Sequence, residues 1–123
     1  MMIILKTKRF TLRPYKQGDE KSLQRNINHR VVYRYTARIP YPYNMDHAKK
    51  WIMSKNTKSK MNFAIDMNGE VIGGIGFDKI VKNNGMIGYW LTPTHWNQGI
   101  ITQAIKCMTA YGLSQMGLKR ITA

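Results

Sequence analysis

From Gly85 to Met116 the chain reads GMIGYWLTPTHWNQGIITQAIKCMTAYGLSQM, and this stretch limits the possible folds more than any other. It divides into a strand, a turn and a helix. Met86 to Leu91 is short, aromatic-rich and preceded by the turn dipeptide Asn84-Gly85, which suits a strand better than a helix. From Gly99 onward Ile101, Ala104, Ile105, Met108 and Tyr111 recur at helical spacing, so one apolar stripe must be covered by another layer. Thr92 to Gln98 has to turn the chain between them.

A strand that feeds a helix through a tight loop leaves the first helical N–H groups without intrahelical partners, and the helix dipole adds partial positive charge there. An anion fits such a place. Gly99 has no Cβ, which would let a phosphate approach the backbone N–H groups of Gln98 to Thr102, with the Thr102 hydroxyl as a further donor. The same spacing also describes an ordinary strand-loop-helix connection that binds nothing.

The motif TPTHWNQGIITQAI, preceded by IGYWL, resembles the acetyl-CoA signature of the GNAT superfamily of N-acetyltransferases, and IGYWL with a Trp before the glycine loop resembles its RimJ/RimL branch. The family loop [QR]-x-x-G-x-[GA] maps onto Trp96, Asn97, Gln98, Gly99, Ile100 and Ile101. The central glycine matches strictly. Ile101 stands where the family prefers Gly or Ala, and Asn97 where it often has Gly. The resemblance implies that acetyl-CoA is the co-substrate, held by Leu91, Gln98, Gly99, Ile100, Ile101 and Thr102. It also implies that a backbone N–H near Leu91 polarises the acetyl carbonyl.

Length and charge limit the function classes. A chain of 123 residues is one domain, and 43% hydrophobic with 11% aromatic residues can support a core. The single Cys107 excludes an internal disulfide framework and a multi-cysteine zinc site. MMIILK is too short an apolar run for a signal-peptide core, and no stretch has the length of a membrane span. A cytoplasmic protein is expected. Twenty Lys and Arg against six Asp and Glu give a formal charge of +14, a field that attracts polyanions such as coenzyme A or ribosomal RNA. The charges are dispersed, with no zinc-finger, RNP-type or heptad pattern to mark a dedicated RNA site.

The rest of the chain supplies the other elements. Ile3 to Arg13 reads as a first strand stopped by Pro14, with Phe10 and Leu12 on one side and Arg9, Thr11 and Arg13 on the other. Asp19 to Asn28 reads as a helix. Arg30 to Tyr43, with four tyrosines and two prolines, is irregular and suggests a lid. Asn44 is a helix N-cap for Met45, Ala48, Trp51 and Ile52. Beyond the polar stretch Ser54 to Lys60, two alternating runs around Phe63 and Ile75 are joined by Asn68-Gly69, a type I′ hairpin signal. GGIG lacks the third glycine and the following helix of a dinucleotide fingerprint, so Gly73, Gly74 and Gly76 are read as points of close approach. Lys79 to Asn84 turns into the Met86 strand, Gly117 stops the long helix, and Leu118 to Ala123 starts another strand.

The expected architecture is therefore an α/β GNAT fold, a mixed and mostly antiparallel sheet flanked by helices. Its one domain, 1–123, is incomplete at the C-terminus by a helix and strands. The expected activity is acetyl transfer from acetyl-CoA to a primary amine, specifically a protein or peptide N-terminal α-amino group. No metal and no membrane enter this reading. No catalytic side chain is assigned: the acidic residue that often precedes IGYW in the branch aligns with Met86, and Asp66, Glu70, Tyr89 and His95 all have structural readings. The alternatives are a basic, non-catalytic module docking on RNA or the ribosome, or an inactive acetyltransferase fragment.

Overall fold

The computed structural model describes residues 3–36, 39–54, 56 and 61–122. Met1 and Met2 of MMIILK, Ala37 and Arg38 of the tyrosine-rich segment, all of Ser54 to Lys60 except Ser54 and Asn56, and Ala123 of the final strand lie outside the described residues. Six strands, β1 (Leu5–Lys6), β2 (Thr11–Arg13), β3 (Met61–Met67), β4 (Glu70–Val81), β5 (Asn84–Leu91) and β6 (Arg120–Thr122), follow one another in a single sheet in chain order. All neighbouring pairs are antiparallel except β5 and β6, which are parallel. The mixed sheet expected from the sequence is present.

Helices cover both faces. On one face α4 (Ile100–Gln115) packs Ile100, Ala104 and Met108 against Phe63, Ile65, Ile75, Phe77 and Leu91. On the other, α1 (Glu20–Ile27), α2 (Arg30–Tyr35) and α3 (Met45–Met53) pack Leu23, Ile27, Val32 and Ala48 against Ala64, Val71 and Trp90. Burial on both faces explains why β3 and the first half of β4 are apolar at nearly every position. Fully buried Phe63 and Phe77 each stabilise the fold by about 1.5–3 kcal/mol through area removed from water.

One expectation about turns is met and one is corrected. Asn68 and Gly69 have φ of +55° and +85°, the left-handed pair of a type I′ hairpin. The next hairpin turns one dipeptide earlier than the sequence suggested. Lys82 and Asn83 carry positive φ, while Asn84 and Gly85 already lie in β5, opposite Val81 and Ile80. Gly85 is needed inside the strand, because a Cβ there would press on Phe77 and Leu118 at 2.9 Å. Within β4, Gly73 and Gly76 allow close backbone approach as expected, and Gly74 makes room for the side chains of Tyr15 and Trp90.

The N-terminal strand is corrected as well. It breaks into β1 and β2 because Thr7 closes a turn: its hydroxyl donates to the Phe10 carbonyl and accepts from the N–H groups of Arg9 and Phe10. Arg13, expected on the outer side, is only 8% exposed. It donates to both carboxylate oxygens of Asp19 at 2.8 and 2.9 Å and to Asp66 at 2.8 Å, tying β2 to the start of α1 and to β3. The segment expected to be irregular contains the six-residue α2. Helix α3 is capped as expected, with the Asn44 side chain accepting from the His47 N–H and His47 Nδ1 accepting from the Asn44 N–H. In α4 the fully buried stripe is Ile100, Ala104, Met108 and Gly112, while Ile101, Ile105 and Tyr111 are half-buried at its edge. Among the described residues no helix is long and apolar enough to cross a membrane.

Candidate active site

The backbone of β5 sets up the site. The Thr92 N–H donates to Ile72 of β4 at 2.8 Å, and backbone groups along a strand alternate in direction. The N–H groups of Leu91, Tyr89 and Ile87 therefore face away from β4. The Leu91 carbonyl agrees with this, since it accepts the Trp96 Nε1 proton at 2.8 Å from the loop beyond the strand. Pairing with β6 covers Asn84 to Met86 only. Among the described residues, Ile87, Tyr89 and Leu91 thus present outward-facing donors with no strand beside them.

The loop after β5 brings the start of α4 to the same place. Pro93–His95 form a 3-10 turn, and the Trp96 indole anchors the loop to Leu91 while its ring meets Tyr35 of α2 edge-on at 6.2 Å. Asn97 and Gly99 both adopt left-handed backbone, with φ of +63° and +76°. Asparagine tolerates that conformation among non-glycine residues, so Asn97 can serve where the family often has glycine. Gly99 is the N-cap of α4, with no side-chain hydrogen bond capping it and no acidic residue in the first turn. The first intrahelical bond runs from the Gln103 N–H to the Gly99 carbonyl, which leaves the N–H groups of Ile100, Ile101 and Thr102 for another acceptor.

These features meet in an open cleft of about 1210 Å³. Of the six residues expected to hold the co-substrate, Leu91, Gly99, Ile100, Ile101 and Thr102 line it. Gln98 does not; its carbonyl accepts from Arg9 Nη1 at 2.5 Å and its side chain reaches back to the Thr94 carbonyl. The bulk of Ile101 is half-buried and packs against the main core. On the opposite side the cleft is walled by Tyr35, Thr36, Ile39, Tyr43, His47 and Trp51, so the segment read as a lid does border the site.

Two charged residues, one against the loop before α4 and one in the cleft, gave no signal in the sequence. Arg9 seemed to be one more exposed strand cation, but the Thr7 turn places it against the loop, where it also donates to Gln103 Oε1 at 2.9 and 3.2 Å. Asp78, between the run around Ile75 and the Lys79 to Asn84 turn, carried no assignment from the sequence, and it borders the cleft. The carboxylates weighed from the sequence lie elsewhere. Asp66 is held by Arg13 and the Gly69 N–H. Glu70 is held by Asn26 and Arg25, which keep its carboxyl below the usual carboxylate range. Tyr89 and His95 do line the cleft. Tyr15 lines it too, and burial pushes its phenol up to about 12, so it remains protonated at neutral pH.

Comparisons with known proteins bear on the family and the fold. The family described as "Acetyltransferase (GNAT) domain" matches residues 9–123. The uncharacterized N-acetyltransferase p20 of Bacillus licheniformis is 30% identical over 130 residues, covering 99% of this chain and 72% of p20. The structure titled RimL, ribosomal L7/L12 alpha-N-protein acetyltransferase, superposes with a TM-score of 0.84 at 17% identity, over 98% of this chain and 70% of that one. The microcin C7 self-immunity acetyltransferase MccE, solved with acetyl-CoA and AMP, gives 0.76 at 22% identity over 94% and 68%.

Proposed function

The chain belongs to the GNAT acetyltransferase family, and on that premise we propose that it transfers an acetyl group from acetyl-CoA to a primary amine, the acceptor being a protein or peptide N-terminal α-amino group. One observation carries this reading. The outward N–H groups of β5 and the uncapped start of α4 open into the same cleft. The RimL-titled structure among the neighbours supports the choice of an N-terminal acceptor.

The residues present fit the co-substrate. The N–H groups of Ile100 to Thr102, reinforced by the helix dipole, are placed to bind its pyrophosphate, and the thioester it brings supplies the activated acetyl group. Leu91 N–H, with Tyr89 N–H one step earlier on the same side of β5, polarises the carbonyl oxygen. A donor fixed in a strand needs no reorganisation as negative charge develops, and such a donor is worth about 3 kcal/mol of barrier. Trp96 holds Leu91 and the loop in one relative position through its 2.8 Å bond.

The test is calorimetric titration of coenzyme A into the chain and into two variants at Gly99. A Cβ at Gly99 has space, with Arg9 Nη2 the nearest group at 3.7 Å, and both Asn and Asp tolerate positive φ. Gly99→Asp puts a like charge beside the pyrophosphate and also draws on the Arg9 guanidinium, so affinity should fall by about tenfold or more, while Gly99→Asn retains most of it. Equal affinity for all three proteins would remove the phosphate site from α4.

A further inference from the structure

We infer that Asp78 is the carboxylate that receives the acceptor's ammonium group. This rests on the acetyl-transfer reading above and identifies where the amine enters. Asp78 is the extra residue of a β-bulge: the β4–β5 register passes from Phe77↔Ile87 to Lys79↔Met86 and leaves Asp78 without a partner. A bulge re-aims the side chain it carries. Here the carboxylate folds back over Gly88 of β5, so that a Cβ on residue 88 would collide with the whole group, its Oδ1 atom at 2.7 Å. Only glycine at 88 leaves room for it.

The position suits an amine. Gly88 lies between Ile87 and Tyr89, on the stretch of β5 whose outward N–H groups serve the acyl carbonyl, so a cation at Asp78 is brought beside the reacting strand. The charged or titratable side chains that line the cleft together with Asp78 are His47 and Lys50 of α3 and His95 of the loop, with the phenols of Tyr15, Tyr35, Tyr43 and Tyr89. Among the described lining residues Asp78 is the one anion.

Asp78 is also unused by the fold. Asp19 and Asp66 are taken by Arg13, Glu70 by Arg25, and Glu20 by the Gly18 N–H. Asp78 is exposed and its side chain makes no hydrogen bond or ion pair among the described residues, in a chain with 20 Lys and Arg. A cationic amine approaching a protein of charge +14 is repelled overall, and a local anion at the mouth of the cleft offsets that repulsion where it matters.

The probes are a serine-initiated peptide free of Lys and Arg, and the same peptide Nα-acetylated. With coenzyme A bound, the free peptide should shift the Gly88 and Tyr89 amide signals in NMR titration of the full chain, and the acetylated peptide should not. Asp78→Asn, which keeps the shape and removes the charge, should weaken binding about fivefold or more and raise KM by the same factor wherever turnover is measured, as expected for loss of a partly screened ion pair. Coenzyme A affinity should be unchanged in this variant, and Asp78→Glu should recover part of the peptide affinity. Equal binding of the two peptides, or of the free peptide to the native and Asp78→Asn proteins, with coenzyme A still bound, would overturn this inference and leave the proposed activity standing. Failure of the native chain to bind coenzyme A would overturn the proposed activity and this inference with it.

Discussion

Replacing Arg13 by Met should cost this protein a large part of its stability. The guanidinium makes two bonds to Asp19 and one to Asp66, all within 2.9 Å, and a fourth to the Pro14 carbonyl at 3.1 Å. Arg13 is 8% exposed and Asp19 4%. Methionine fills the space of the aliphatic stem, so the cavity contribution is small and the loss is electrostatic. Asp19 would keep only the Lys16 N–H among its side-chain partners, as a buried carboxylate without its cation. Breaking a buried pair from one side costs about 3–5 kcal/mol. A domain of this size is stable by about 5–15 kcal/mol in total, so the variant should be close to marginal. With an unfolding entropy near 2.1 cal/mol/K per residue, the melting temperature should fall by about 12 to 19 °C. Urea unfolding followed by circular dichroism gives the free energy directly. Adding Asp19→Asn to Arg13→Met should recover part of the loss, because it removes the stranded charge. A loss below about 1 kcal/mol for Arg13→Met would refute the reasoning and class the triad with solvated surface pairs.

Glu70→Gln should leave turnover within about twofold of the native chain, since Glu70 does not line the cleft. Because Asn26 first and Arg25 second lower its folded-state pKa below 4.5, the native advantage over this variant should be present above about pH 4.5 and vanish as pH falls through the folded value, as followed by urea midpoints across pH. Gly76→Ala should destabilise by about 1–3 kcal/mol, because the new methyl meets the backbone of Met61 and the Asn62 Cα at 2.8 Å, neither of which can swing aside. Thermal unfolding reads this, and a stability equal to the native chain would show that β3 and β4 can separate there without cost.

Much of the architecture was legible because local chemistry decided it. Asn68-Gly69 could only be a turn that needs two positive φ angles, Asn44 could only cap the helix that follows it, and Ile100 to Met116 carries its helical period in the sequence. The same is true of the loop before α4, whose Gly99 and IGYWL context carried the resemblance that the family match then bore out. What the sequence could not decide were the outcomes fixed by partners distant along the chain. The turn at Lys82-Asn83 depends on the register of β4 against β5 and the burial of Arg13 on its bond to Asp66 of β3, and a change of one position in register reverses which side chains face the core.

The candidate site divides along the same line. Leu91, Gly99, Ile100, Ile101 and Thr102 belong to one continuous strand-loop-helix segment, so their convergence follows from the order of residues alone. Asp78 reaches the cleft, and Arg9 the loop before α4, by tertiary routes. Arg9 arrives because a threonine-closed turn folds the N-terminal strand back beside the loop, 89 residues away from Gln98 in the chain. Asp78 arrives because a bulge adds one residue to β4 opposite β5, and because residue 88 has no side chain to exclude it. The Arg9 contact to Gln98 and the bulge at Asp78 both depend on partners outside a window of sequence around the residue itself. The order of residues by itself therefore put the candidate backbone donors on one segment, and only the tertiary structure decided which charges surround them.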